Sequence, residues 1–247
     1  ILSLEQVQSL LLRRAIVGIS TDRLVARLCR AADIPATLSG HAVFNVQNAL
    51  AAAAMAYGAG IDPETIGAAL AGFRSSFSQN PGRMNIHDDH GFRVVLDYAH
   101  NPEALRALGQ LIARLKPDGA ASIGMVSIPG DRRDAEIRDM GRIGAEYFDR
   151  LVFRETPDGR GRPAGEVIRL LVEGATEAGC DPARIHSIYE EEAAAQAALR
   201  LADPGDIVVL MSTNVTRVWE MVQNFRRETP SPSPFSEPAP ILEPPHG

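Results

Sequence analysis

Between Arg83 and Arg227 the sequence switches back and forth between two periods, with short β-branched and apolar runs followed by longer amphipathic stretches of helical spacing. A chain with that rhythm has few options. Strands joined through helices pair in parallel, and the helices cover both faces of the sheet. Strands are predicted at 83–88, 92–97, 120–126, 149–153, 184–188 and 206–211, and helices at 102–115, 134–147, 163–178, 190–201 and 214–227. The first two strands flank the turn from Asp88 to Gly91, which predicts an antiparallel hairpin at a sheet edge. The fold class is α/β, a Rossmann-like and mostly parallel sheet.

Residues 1–78 read as a separate, smaller and mainly helical unit. Leu4, Val7, Leu10 and Leu11 predict a helix over 3–14, residues 15–20 a strand, and residues 21–31 a further helix. An alanine-dense helix ends at Gly58, and an Asp62-Pro63 pair opens another that runs to about Phe73. The polar run Ser75 to Gly82 is the candidate linker to a second domain over 79–228. Residues 229–247 carry seven prolines and almost no hydrophobic periodicity, so they are expected to be a disordered tail.

With 247 residues, 45% of them hydrophobic, the chain can bury one good core or two modest ones. A net charge of −6 argues against general affinity for nucleic acid. Cys29 and Cys180 are the two cysteines and have no metal-ligand spacing, which points to free thiols in a reducing, cytoplasmic setting. No apolar run reaches the length of a membrane span, and the first residues lack a signal-like pattern. The chain begins at Ile1 rather than Met, and a fragment of a longer polypeptide is the expectation.

Polar residues gather where the predicted strands end. The strand from Phe92 delivers Asp97, His100 and Asn101 to its C-terminal end, just before Pro102 opens a helix, and open α/β sheets bind phosphate-bearing ligands at such places. Asp97 and Asn101 serve equally well as helix caps there, and His100 as a structural or surface histidine. Arg83, beside Gly82 at the domain junction, can project a guanidinium toward phosphate or simply follow a turn. Asn45 and Asn48 lie one helical turn apart and can face the same way. The loop Pro129 to Asp134 holds Asp131, Arg132 and Arg133, suited to a charged substrate or to a salt-bridged helix start with Asp134 as its cap. The run Arg154 to Pro163, with Arg160 and Arg162, is either a solvated loop or a lid. There is no Gly-x-x-x-x-Gly-Lys-Ser/Thr loop, no Gly-x-Gly-x-x-Gly after an early strand, no Gly-x-Ser-x-Gly elbow and no metal tetrad.

Asp97-Tyr-Ala-His100-Asn-Pro102, preceded by Pro81-Gly-Arg83-Met-Asn85 and by the helix Phe44-Asn45-x-x-Asn48, resembles the ATP-dependent Mur ligase family. With Pro129-Gly-Asp-Arg-Arg-Asp134, Phe148-Asp149, Arg160-Gly-Arg162-Pro-Ala-Gly-Glu166 and Asp203-Pro-Gly-Asp206, it is most similar to the C-terminal, Mur-ligase-like module of the cyanophycin synthetases. The resemblance runs from about residue 35 to 226. It implies a Mur ligase C-terminal domain behind a remnant of the central domain, with Asn48 on adenine, Asp97 on ribose, Arg83 toward ribose and phosphate, and His100 and Asn101 beside the nucleotide. It further implies ATP and Mg2+ as cofactors, arginine and an aspartate-bearing polymer as substrates, and an amide bond formed through an acyl phosphate. Asp131, Arg132, Arg133, Arg160 and Arg162 are the implied substrate contacts.

The family's phosphate loop and its main magnesium ligands are missing from this sequence, as is the ATP-grasp half of those synthetases. Phosphoryl transfer depends on the lysine, hydroxyl and metal that such a loop supplies. The expectation is therefore a chain with no catalytic or metal-binding residue of its own, dependent on a P-loop domain or on assembly with further copies. The alternative is a degenerate ligase domain that binds nucleotide or polymer without catalysis.

Overall fold

The structure of the protein, a computed structural model, describes residues 16–20, 24–156 and 158–226. Its first unit is a two-stranded antiparallel hairpin, β1 (Ile16–Ser20) and β2 (Leu24–Arg30), with two helices, α1 (Val43–Gly58) and α2 (Pro63–Gly72). The helix expected over 21–31 is corrected here, because residues 24–30 form a strand that pairs with β1, Ile16 opposite Arg30. Leu24-Val-Ala-Arg-Leu-Cys-Arg fits both periods in so short a segment, and pairing with β1 decides between them. The helix expected over 3–14 and the proline-rich tail lie outside the described residues.

Local chemistry sets the helix starts. Asp62 precedes Pro63 and accepts the Thr65 N–H at 2.9 Å, which closes the first turn of α2. Gly67 on this helix lies directly over β2, where a Cβ would stand 3.0 Å from the Leu28 carbonyl oxygen.

The second unit is a six-stranded sheet. Its strands are β3 (Asn85–His87), β4 (Arg93–Asp97), β5 (Ser122–Val126), β6 (Arg150–Phe153), β7 (Ile185–Ser187) and β8 (Ile207–Met211), in the spatial order β3-β4-β8-β5-β6-β7. β3 pairs antiparallel with β4 at the edge, as the hairpin signal predicts, and all other pairings are parallel. Helices α3 (Pro102–Leu115), α4 (Asp134–Tyr147) and α5 (Glu166–Glu177) follow β4, β5 and β6, and α6 (Glu191–Leu201) and α7 (Val215–Asn224) follow β7 and β8.

The crossovers from β4 through β7 all advance in one direction across the sheet, and the last returns to the middle. Right-handed connections therefore put α3, α4 and α5 on one face and α6 on the other, and α7 packs on the α6 side, its Val218 and Val222 in one cluster with Ala194 and Ala198. Strand parity agrees. Val95, Leu151, Phe153 and Val209 face α3, α4 and α5, whereas Val94, Leu96, Val152 and Val208 face α6 and α7.

The α4 start departs from the expected one. Arg133, not Asp134, occupies the cap position, and the Glu136 carboxylate reaches back to accept the Arg133 N–H at 3.2 Å. Asp134 is instead drawn sideways to Arg162, 2.8 Å away.

Candidate functional site

A cleft of about 800 Å³ opens between the two units, with α1 and α2 on one wall and the segment around Arg83, the end of β4 and α3 on the other. Ala49, Ala53, Ile66 and Leu70 give it an apolar floor, and Asn48, Arg83 and Asp97 reach it from three separate stretches of sequence. That volume lies in the range of small-molecule sites, which combine apolar walls with a few placed polar groups.

The asparagines of α1 face the same way. Asn45 donates to the Ala36 carbonyl at 2.7 Å, and exposed Asn48 donates to the Asn45 side-chain oxygen at 3.3 Å. Asp97, the last residue of β4, accepts the Met84 N–H at 3.0 Å. Burial pushes its carboxyl above the usual range, while the backbone amides of Met84, Ala99 and Tyr98 and the charge on Arg83 oppose that rise without cancelling it. Arg83 is exposed, and its guanidinium carbon lies 5.3 Å from the centre of the Tyr98 ring, a cation–π approach that sequence reasoning missed.

His100 and Asn101 do not line this cleft. Asn101 is spent as the α3 cap, its side-chain oxygen accepting the Ala104 N–H at 2.9 Å. The His100 Nδ1 lies 2.9 Å from the Tyr98 carbonyl oxygen, and its ring packs against the Tyr98 ring.

The two charged loops are fastened to one another. Arg160 donates to Asp131 at 3.0 Å across an exposed pair. Arg162, far less exposed, donates to the Gly130 and Arg132 carbonyls at 2.6 and 2.7 Å and pairs with Asp134 and Glu166, each at 2.8 Å. Arg133 is largely exposed and pairs with Glu136 of α4, at 3.1 Å, and Arg132 is exposed. Arg162 thus acts as a clamp, while Arg160, Arg132 and Arg133 present charge to solvent.

Arg154, which the sequence places in a basic run, is almost fully buried. It follows Val152 in strand parity and turns toward α6, donating to the Met211 carbonyl and the Thr213 hydroxyl at 2.9 Å each and pairing with Glu191 at 3.1 Å. Its neighbour Glu155 turns to the other face and accepts the Gly165 and Ile168 N–H groups at the start of α5.

A mostly parallel sheet with a cleft at the C-terminal end of β4, faced by a helical unit, is the arrangement of a Mur ligase C-terminal domain. Residues 82–214 match the family described as Mur ligase, glutamate ligase domain, and the chain belongs to that family. Within it, the chain is 38% identical over 197 residues to the cyanophycin synthetase of Nostoc sp., aligning 80% of its own length with 22% of that enzyme. Against the cyanophycin synthetase of Crocosphaera subtropica the identity is 34% over 206 residues, 83% of this chain and 23% of the enzyme. The chain spans about a fifth of the length of these curated relatives. Among solved structures, a folylpolyglutamate synthase from Thermotoga maritima superposes with a TM-score of 0.53 at 18% identity, covering 86% of this chain and 44% of that one, a likeness of fold alone. No helix among the described residues is long and apolar enough to cross a membrane.

Proposed function

We propose that the chain is the C-terminal module of an ATP-dependent amide-bond ligase of the cyanophycin synthetase type, which joins arginine to aspartate side-chain carboxylates through an acyl phosphate. The observation that carries this reading is the convergence of Asn48, Arg83 and Asp97 on one cleft. Asn48 presents an amide to the base, the Asp97 carboxylate accepts from ribose hydroxyls, and Arg83 turns a guanidinium toward phosphate oxygens. Asp131, Arg132, Arg133 and Arg160 line the charged loops at the same C-terminal end of the sheet, where the amino acid and the polymer are read, and Arg162 holds those loops together.

Among the described residues no group of three or more His, Cys, Asp or Glu side chains is placed to hold a metal ion. The chain's own contribution is binding and orientation. By itself it is expected to release no ADP when mixed with ATP, magnesium, arginine and an aspartate-bearing primer.

The test is a chimera in which this chain replaces the matching fifth of the Nostoc enzyme, assayed for arginine incorporation into primer. Incorporation that disappears on Asp97→Ala is the expected result. A chimera that folds, binds ATP and incorporates no arginine would favour a binding domain without catalysis and overturn the ligase reading.

A further inference from the structure

Asn85 opens β3, and its side chain is completely buried. A buried amide needs partners, and this one has four in a segment of nine residues. Its oxygen accepts the Gly82 N–H at 2.7 Å, and its nitrogen lies 3.0 Å from the Asn80 carbonyl oxygen, 3.2 Å from that of Ser75 and 3.4 Å from that of Arg83. The Ser75 hydroxyl donates to the same Arg83 carbonyl.

The two residues flanking Arg83 are equally constrained. Gly82 has a φ of 72°, and a Cβ there would stand 2.6 Å from the Val215 side chain, so the turn is pressed onto the start of α7. Met84 takes a φ of 51°, unusual for a residue with a side chain, and its N–H is the one that Asp97 accepts. The Arg83 carbonyl is therefore gripped from two sides, between two left-handed residues, while its guanidinium remains exposed beside Tyr98.

We infer that Asn85 is a positioning residue for the phosphate end of the nucleotide, because it fixes the backbone from which Arg83 projects into the cleft. The inference rests on the nucleotide reading given above. A long, flexible cation loses less freedom on binding when its backbone is already set, so Asn85 acts on affinity without touching the ligand. Asn48 and Asp97 reach the base and ribose from α1 and β4, and the Asn85 side-chain amide bonds the backbone of neither. The consequence is selective: ligands carrying phosphate feel the loss of Asn85, and ligands without it do not.

The experiment titrates ADP and adenosine separately into the full chain, followed by NMR, for wild type, Asn85→Ala and Ser75→Ala, with circular dichroism confirming folding. Asn85→Ala should weaken ADP by about tenfold or more, the scale of a lost hydrogen bond to a charged group, and adenosine by less than about twofold. Ser75→Ala, which removes one of the two grips on the Arg83 carbonyl, should show the same selectivity at smaller size. Equal losses for both ligands, or no loss for either, make Asn85 a purely structural residue and overturn the inference. Where Asn85→Ala does not fold, Ser75→Ala decides alone by the same criterion. A wild-type chain that binds neither ligand removes the nucleotide reading itself, a different outcome from a chain that binds both and ignores Asn85.

Discussion

Arg154 and Glu191 meet at 3.1 Å with both side chains withdrawn from solvent, at 2% and 9% exposure. Each has further partners. Glu191 also accepts the Ser212 hydroxyl and the N–H groups of Thr213 and Asn214, so one carboxylate gathers the whole turn between β8 and α7. Arg154 ties the end of β6 to the same turn and to the Met211 carbonyl. The pair thus bolts together the strand ends that form the rim of the sheet, and burial pushes the Arg154 guanidinium below its usual range while Glu191 opposes that shift.

Removing either partner alone should leave a buried charge without compensation. Arg154→Ala and Glu191→Ala are each expected to cost about 3–5 kcal/mol of folding stability in urea titrations. Arg154→Met combined with Glu191→Leu removes both charges and should be less damaging than either single alanine. A double variant that loses the sum of the two single losses would show that the pair is not coupled.

Asp97 gives a pH prediction of definite sign. Its carboxyl lies above the ordinary 3.8 in the folded chain because burial disfavours the charged form. A carboxyl raised by folding contributes its full stability below the unfolded value and loses it as pH rises through the folded value. Asp97→Asn cannot ionise, so it should be more stable than wild type at neutral pH, with the difference closing as pH falls from the raised folded value toward 3.8. The same change should weaken nucleotide binding by about 1.5–3 kcal/mol, as expected for a charged acceptor. Thermal unfolding across pH, paired with an ADP titration, checks both halves, and an asparagine variant less stable at neutral pH contradicts the first.

Much of this was legible in the sequence, and for physical reasons. The two periods place every strand and helix beyond Arg83, because a half-buried strand and an amphipathic helix each write their own spacing into the chain. Asp97 at a strand end before Asn101-Pro102 was visible for the same reason. The position of β8 between β4 and β5 was not, since strand order is a long-range property that no local spacing records. Arg154 sits in a basic run, and charge pattern alone does not say that it continues the parity of Val152 and turns inward. Residues 24–30 suit either period, and the partner that decides for β2 is another strand.

Arg160 and Arg162, two residues apart, should separate cleanly under mutation. Arg162→Ala strips donors from the Gly130 and Arg132 carbonyls and partners from Asp134 and Glu166, and should cost about 1–3 kcal/mol. Arg160→Ala removes an exposed pair with Asp131 and should change stability by less than about 1 kcal/mol. Any loss of arginine incorporation in the chimera caused by Arg160→Ala can then be assigned to substrate handling. Equal destabilisation by the two changes would refute the division of roles.

The crossing of α4 and α5 is close enough that two glycines on it govern its packing. α4 and α5 cross where Gly141 meets the Leu171 carbonyl and Gly174 meets the Arg138 carbonyl, so that a Cβ at either glycine would collide with the backbone of the other helix. Alanine normally favours a helix interior over glycine by up to about 1 kcal/mol, but here the helices must separate to admit it, and overpacking of this kind costs about 1–3 kcal/mol. Gly141→Ala and Gly174→Ala should therefore both destabilise, and the double variant should cost less than their sum, because the first methyl already opens the gap. Gly72, the last residue of α2, has nothing within 4 Å of the position a Cβ would take. Gly72→Ala is the control, expected to leave thermal stability unchanged or to raise it slightly, and a loss at Gly72 equal to that at Gly141 would mean that the crossing does not set the response.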